Sequence, residues 1–125
     1  MKTIIRIEHI NDGFGIWKSR GFNNNLNDRV YYDLSFYDDL IVKHRYLNTP
    51  EEDGLNKFVE GEWFCAFKSL EQIKEWIECP WFKELVEKGF QILILEVSEY
   101  QEGNHQIIYT KKSIASSKDI SSLFV

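Results

Sequence analysis

Apolar residues in the second half of the chain fall into two short runs that a polar turn separates. Gln91–Val97 is apolar almost without interruption, and Gln106–Thr110 follows a polar tip that contains Gly103 and Asn104. β-Branched runs of this length, bounded by Gly and Asn, predict the two strands of a hairpin. Because the first run is apolar at successive positions, it predicts a strand that is covered on both faces and therefore central in its sheet.

Two further stretches of the sequence are typical of strands. Trp63–Phe67 is short and apolar, and Thr3–His9 alternates between two faces, with Ile5 and Ile7 on the same side. The opposite face of this first strand carries Ile4, Arg6 and Glu8. These patterns predict that both stretches belong to the same sheet as the two apolar runs.

Helical spacing of apolar residues appears in three other segments, which are Tyr31–Tyr46, Leu70–Glu78 and Trp81–Lys88. The second begins with a capping box, Ser69–Gln72, in which the Ser hydroxyl accepts from a main-chain amide and Gln72 reaches back. Pro80 suits the first turn of the third helix, and Gly89 suits its end. The serine-rich tail after Lys111 predicts a loosely structured segment with at most a short strand. Together these elements predict one α+β domain over residues 1–125, in which a small antiparallel or mixed sheet packs against about three helices.

Composition narrows the function classes. The chain has 125 residues, 43% of them hydrophobic, and a net charge of −5. An acidic balance disfavours non-specific binding to phosphate backbones, so we expect no direct contact with nucleic acid. No apolar run reaches the length of a membrane span and no signal-peptide core is present, so we expect a cytoplasmic protein of a bacterial host with no membrane contact. Cys65 and Cys79 lie among apolar residues and are expected to be buried free thiols.

The sequence contains no pattern that is diagnostic of catalysis or of a metal site. His9, His44 and His105 are far apart, and their spacing suits no common metal site. The adjacent carboxylates Asp38-Asp39 and Glu51-Glu52 need not face one another and are most simply solvated surface groups. We therefore expect no metal, no cofactor and no catalytic residue, and favour a protein that is not an enzyme.

Arg6 is the one charged residue whose position demands an explanation. An arginine on an apolar strand must either pair with a carboxylate or face a cleft, because an unpaired buried charge is very unfavourable. Glu8 and Glu96 are the candidate partners for an ion pair, whereas a cleft would make Arg6 an anion site. Gln106, a polar residue at the start of an apolar strand, must likewise either find a partner within the protein or face a cleft. For Arg6 we favour the ion pair over the anion site.

Three stretches carry a resemblance to known proteins: Arg6-Ile7-Glu8 followed by Asp12–Gly15, Phe67–Gln72 with Trp76, and Gly89-Phe90 leading to Gln106–Tyr109. They resemble small phage and mobile-element proteins whose strand order is similar to that of the ADP-ribosyltransferase fold. This resemblance implies a protein that binds NAD or another nucleotide, with Arg6 on the phosphates and Gln106 near the ribose. Ile108 stands where transferases of this family carry a catalytic glutamate, and this departure argues against transfer.

Small size, acidity and an Asn-, Lys- and Ile-rich composition are also similar to those of anti-CRISPR and other anti-defence proteins of phages. This second resemblance implies a non-catalytic binding protein that inhibits a host defence nuclease, such as a CRISPR effector. Its candidate partner contacts are the acidic residues that could meet a basic nucleic-acid channel: Asp38, Asp39, Glu51, Glu52 and Asp53. We take this as the leading hypothesis, and a divergent ADP-ribosyltransferase-like protein that uses Arg6 and Gln106 as the alternative.

Overall fold

Six strands and two short helices make up the part of the chain that the structure describes. The structure is a computed structural model, and it describes residues 1–11, 13, 53–59, 62–77, 79–104 and 106–124. In chain order the elements are β1 (Lys2–His9), β2 (Trp63–Ala66), α1 (Leu70–Trp76), α2 (Cys79–Glu87), β3 (Phe90–Val97), β4 (Tyr100–Glu102), β5 (Ile107–Thr110) and β6 (Ile114–Asp119). Short 3-10 turns follow β5 at Lys111–Ser113 and β6 at Ser121–Phe124.

The first sheet has the strand order β1-β3-β6, with all neighbours antiparallel. Its central strand is β3, whose side chains are buried on both faces: Ile92 is fully buried on one and Leu95 on the other. The prediction of a central strand covered on both sides is therefore confirmed. A bulge between Glu96 and Val97 interrupts the pairing of β3 with β6.

The second sheet has the order β2-β5-β4 and is also antiparallel. The predicted hairpin between the two apolar runs is wrong, because β3 and β5 lie in different sheets. Residues Tyr100–Glu102, which looked like the polar tip of that hairpin, form strand β4 and turn back onto β5. The Gly103 amide donates to the Gln106 carbonyl across this turn at 2.8 Å. The tight turn in the sequence therefore joins β4 to β5 and leaves β3 to pair with β1 and β6.

The first sheet lies between the helices and the second sheet. One apolar cluster joins its first face to both helices, and comprises Ile5, Ile7, Ile73, Ile77, Phe82, Leu85, Phe90, Ile92 and Ile120. The other cluster joins its second face to the second sheet, and comprises Ile4, Ala66, Leu93, Leu95, Val97, Ile107 and Tyr109. The two sheets also touch at their edges, where Ile5 and Phe67 exchange main-chain hydrogen bonds of 2.9 and 2.8 Å. The predicted alternation of Ile5 and Ile7 against Ile4 along β1 is thus confirmed.

The helix boundaries follow the local signals in the sequence. The Ser69 hydroxyl accepts from the Gln72 amide at 3.1 Å, and Gln72 Oε1 accepts from the Lys68 amide at 2.6 Å. The capping box is therefore present, with Gln72 reaching one residue further back than expected. Pro80 lies in the first turn of α2, and Gly89 follows its end with a φ of +97°, which suits glycine.

The predicted fold class is wrong in its balance of elements. Two antiparallel three-stranded sheets dominate the described residues, which contain only two short helices instead of about three packed ones. The third predicted helix, Tyr31–Tyr46, lies outside the described residues. The C-terminal tail adds to the strand content, because Ile114–Asp119 forms an edge strand through main-chain pairing with β3. A strand held mainly by its backbone needs no apolar alternation, so its serines did not indicate it.

Candidate functional site

Arg6 of β1 lies between the two sheets and is only 7% exposed. Its Nη1 donates to the Cys65 carbonyl at 2.6 Å, its Nη2 to the Gly13 carbonyl at 2.9 Å, and its Nε to Glu8 Oε1 at 3.3 Å. The ion pair expected between Arg6 and Glu8 is therefore confirmed. Three of the five N–H donors of Arg6 thus bond to protein acceptors, and contact of Arg6 with a nucleotide stays a prediction.

Lys111 lies nearer the surface and forms a charged cluster with Arg6 and Glu8. Its Nζ lies 3.8 Å from Glu8 Oε1 and 4.6 Å from the centre of the Phe64 ring. The guanidinium carbon of Arg6 lies 5.7 Å from the same ring centre, so two cations face one aromatic side chain. Gly13 closes the cluster with a φ of +73°, and a Cβ there would lie 2.8 Å from Lys111 Nζ. Glu8 and Phe64 together hold Arg6 and Lys111 in place.

The two weakly acidic groups beside Arg6 are protonated at neutral pH. Tyr109 is fully buried, and burial raises its pKa to about 12 against the opposing effect of Arg6. Within the described part of the chain, its hydroxyl has no hydrogen-bond partner. Burial also raises the pKa of the free Cys65 thiol, again against the effect of Arg6. Neither group is prepared for nucleophilic or acid–base chemistry near pH 7.

An open cleft of about 600 Å³ adjoins this cluster at one end of the second sheet. Its lining residues are Glu62, Trp63, Phe64, Glu99, Thr110, Lys111 and Lys112, and we call it the aromatic cleft. Trp63 and Phe64 are half-buried and contribute the aromatic part of its lining. Glu99 Oε1 accepts from the Thr110 hydroxyl at 2.6 Å and lies 3.9 Å from Lys112 Nζ. Aromatic side chains between charges of both signs suit contact with a polypeptide.

Sequence reasoning missed the aromatic cleft. Trp63 was assigned to a strand, and Lys111 and Lys112 to the start of the tail. They become neighbours only because Trp63 pairs with Thr110 in the second sheet. A pattern confined to one stretch of the chain contains no signal for this juxtaposition.

Of the five acidic residues proposed as partner contacts, the structure describes only Asp53. Asp38, Asp39, Glu51 and Glu52 lie outside the described residues. Asp53 is 4% exposed, and its Oδ2 accepts from the main-chain amide of Gln106 at 3.1 Å. The structure thus brings together Asp53, a candidate contact with a protein partner, and Gln106, a candidate contact with a nucleotide. Partner contact by the five acidic residues stays a prediction.

Gln106 is buried beside a turn that charged side chains support. It is 6% exposed, and the Lys68 ammonium donates to the nearby Gly103 carbonyl at 2.7 Å. Lys68 and Lys2 both pair with Glu102, and the hydrogen bond from Lys2 is the main reason that the pKa of Glu102 is lowered. The surroundings of Gln106 thus stabilise the β4–β5 turn.

No group of three or more His, Cys, Asp or Glu side chains within the described ranges could hold a metal ion. None of the helices in the same ranges has the length and apolarity needed to cross a bilayer.

The described residues are mainly antiparallel β-structure, and comparison with protein families adds that the chain matches a family of phage proteins. The model of one protein family, described as Bacteriophage T4 Y00F protein, matches residues 1–122. The chain therefore belongs to this family, and the expectation of a phage protein is confirmed. The match gives no support to the finer anti-CRISPR and ADP-ribosyltransferase resemblances. Comparisons with curated proteins and with solved structures gave no match.

Proposed function

We propose that this phage protein acts by binding a host protein and has no catalytic activity of its own. The observation that carries the proposal is the aromatic cleft, in which Trp63 and Phe64 are half-buried beside Lys111, Lys112 and Glu99. Aromatic side chains are enriched among the residues that dominate binding energy in protein interfaces. Opposite charges around them favour one orientation of the partner.

The ionisable groups around the cleft support a binding role because they are engaged with one another. Glu8 contacts both Arg6 and Lys111, and Glu99 contacts Thr110 and Lys112. Glu8 holds Arg6 and Lys111 in position, whereas Lys112 is 82% exposed and its contact with Glu99 contributes little. A partner that meets the Lys111 charge encounters a preorganised group, which lowers the entropic cost of binding.

The partner class we propose is a host defence nuclease, with a CRISPR effector as the leading candidate. Membership in a phage protein family and a net charge of −5 support this assignment. Nucleases of this kind hold nucleic acid in basic channels, and an acidic protein complements such a surface. The acidic residues proposed to face the channel are Asp38, Asp39, Glu51 and Glu52, since Asp53 is 4% exposed and accepts from the Gln106 main-chain amide.

No specific observation favours the alternative, a divergent ADP-ribosyltransferase-like protein that binds NAD. The guanidinium of Arg6 donates to Cys65, Gly13 and Glu8, and Gln106 is buried beside Asp53. Three of the five N–H donors of Arg6 are therefore already used by protein acceptors, which leaves fewer for a phosphate group. Calorimetric titration with NAD tests this alternative directly, since heat that disappears in Arg6→Met would overturn the binding-protein proposal.

The principal test measures inhibition of purified CRISPR effectors by the full chain and by two matched variants. Lys112→Glu reverses a charge in the aromatic cleft, and Lys83→Glu reverses a charge on α2 that is also largely exposed. We expect the wild-type chain and Lys83→Glu to bind and inhibit an effector alike. Lys112→Glu should weaken binding about tenfold, which corresponds to about 1.4 kcal/mol. Equal loss in both variants, or no binding to any effector tested even at low salt, would refute the proposal.

A further inference from the structure

Strand β6 presents an open edge of the first sheet. It is the last strand in the order β1-β3-β6, and no described strand pairs with its outer side. Its residues from Ala115 to Asp119 are all exposed. A six-residue edge without proline has main-chain groups that can pair with another chain, and its charged residues Lys118 and Asp119 restrict which strand can do so.

The register of β3 and β6 shows which main-chain groups face outward. Ile120 donates to the Ile92 carbonyl at 2.8 Å, so this pair is of the hydrogen-bonded type. Hydrogen-bonded pairs alternate along an antiparallel ladder, and Lys118 and Ser116 therefore bond toward β3. The N–H and C=O groups of Ser117 point the other way, away from the sheet.

We infer that this edge pairs with β6 of a second copy of the chain, antiparallel and centred on Ser117. In this register Lys118 faces Ser116 of the other copy, and Asp119 faces Ala115. A shift in one direction places Lys118 opposite Lys118 or Asp119 opposite Asp119, and like charges directly opposite one another are unfavourable. A shift in the other direction carries the pairing past Ala115, the extra residue that β6 inserts at the bulge, to Ile114. Centring on Ser117 avoids opposed like charges and meets the bulge only at Ala115, the end of the paired segment.

Charge complementarity supports a second copy as the occupant of this edge. The Ser116 hydroxyl donates to Glu96 Oε2 at 3.2 Å, so the Glu96 carboxylate lies beside Ser116 on the same face of the sheet. Lys118 of one copy, placed opposite Ser116 of the other, reaches that carboxylate. Two-fold symmetry makes the contact twice. The two three-stranded sheets then form one continuous six-stranded sheet.

The dimer is expected to be weak because the shared edge is short and polar. Interfaces below about 1,200 Å² belong mostly to weak or transient complexes. Sedimentation velocity of the full chain across a wide concentration range, up to millimolar, is therefore the measurement. A concentration-dependent shift from monomer to dimer is the expected result, and a monomer throughout would overturn the inference.

Two single charge reversals separate contact between copies from effects within one chain. Lys118→Glu places two carboxylates together in its own dimer, and Glu96→Lys places two ammonium groups together. Each variant alone should dimerise about tenfold more weakly than the wild type. An equimolar mixture pairs each altered residue with an opposite charge, so it should associate about as tightly as the wild-type chain. Failure of the mixture to associate would refute the Lys118–Glu96 contact.

Ser117→Pro tests the edge itself. Proline removes the Ser117 N–H, which points away from β3, so the sheet retains its internal ladder. An unchanged thermal melt confirms that the variant folds. The variant should be monomeric, while Lys83→Glu on α2 should dimerise normally. A wild-type chain that stays monomeric, yet loses a bound effector on Ser117→Pro, would assign the edge to an extended segment of that effector and overturn the inference of a second copy.

Discussion

Replacing Arg6 by methionine removes the guanidinium between the sheets and keeps most of the apolar stem. The change deprives the Cys65 and Gly13 carbonyls of their donors and leaves Glu8 without its nearest cation. Breaking a buried ion pair by removing one partner costs about 3 to 5 kcal/mol. Glu8 is 18% exposed and retains Lys111 at 3.8 Å, which reduces the loss. We therefore expect Arg6→Met to lower the free energy of unfolding by about 3 kcal/mol.

A double-mutant cycle isolates the part of this loss that belongs to the ion pair. Glu8→Gln keeps the shape of the side chain and removes its charge, and should cost about 1 kcal/mol. The coupling between Arg6→Met and Glu8→Gln should be about 1 to 2 kcal/mol, because the Arg6 side chain is almost fully excluded from water. Urea unfolding followed by tryptophan fluorescence gives all four free energies.

The matched control is an exposed ion pair between β1 and β4. Lys2 pairs with Glu102 at 3.2 Å, and both side chains are more than one-third exposed. Lys2→Met and Glu102→Gln should couple by less than about 0.5 kcal/mol. The reasoning fails if Arg6→Met costs less than about 1 kcal/mol, or if the exposed pair couples as strongly as the buried one.

Two further predictions concern Tyr109 and Ser69. Tyr109→Phe removes a buried hydroxyl without a partner and should raise the free energy of unfolding by about 1 kcal/mol, as measured in urea. Because the folded pKa of Tyr109 is about 12 and an unfolded tyrosine ionises near 10, its contribution is constant below pH 10. Between pH 10 and 12 it should destabilise the wild type by up to about 3 kcal/mol relative to Tyr109→Phe; parallel stability curves would disprove this. Ser69→Ala removes the N-cap of α1 and should cost about 1 kcal/mol, whereas Ser122→Ala at an exposed position should change the urea midpoint little. Equal midpoints for these two variants would count against the cap.

Local features of this protein were readable from the sequence because they depend on residues a few positions apart. The alternation along β1, the Ser69 cap and the end of α2 at Gly89 each depend on residues that are only a few positions apart in the sequence. The burial of β3 on both faces follows from its unbroken apolar run. The requirement that Arg6 find a partner follows from the cost of burying a charge, and Glu8, two residues away, supplies it.

Pairing between distant segments was decided by the tertiary structure alone. The sequence is equally compatible with a β3–β5 hairpin and with two separate sheets, because both arrangements bury the same apolar runs. The serines of β6 carry no apolar signal, so only main-chain pairing with β3 makes them a strand. The aromatic cleft depends in the same way on Trp63 lying opposite Thr110. The amino-acid pattern thus determined which faces must be buried, while the register between strands determined which side chains meet, since register depends on contacts that no single stretch of chain contains.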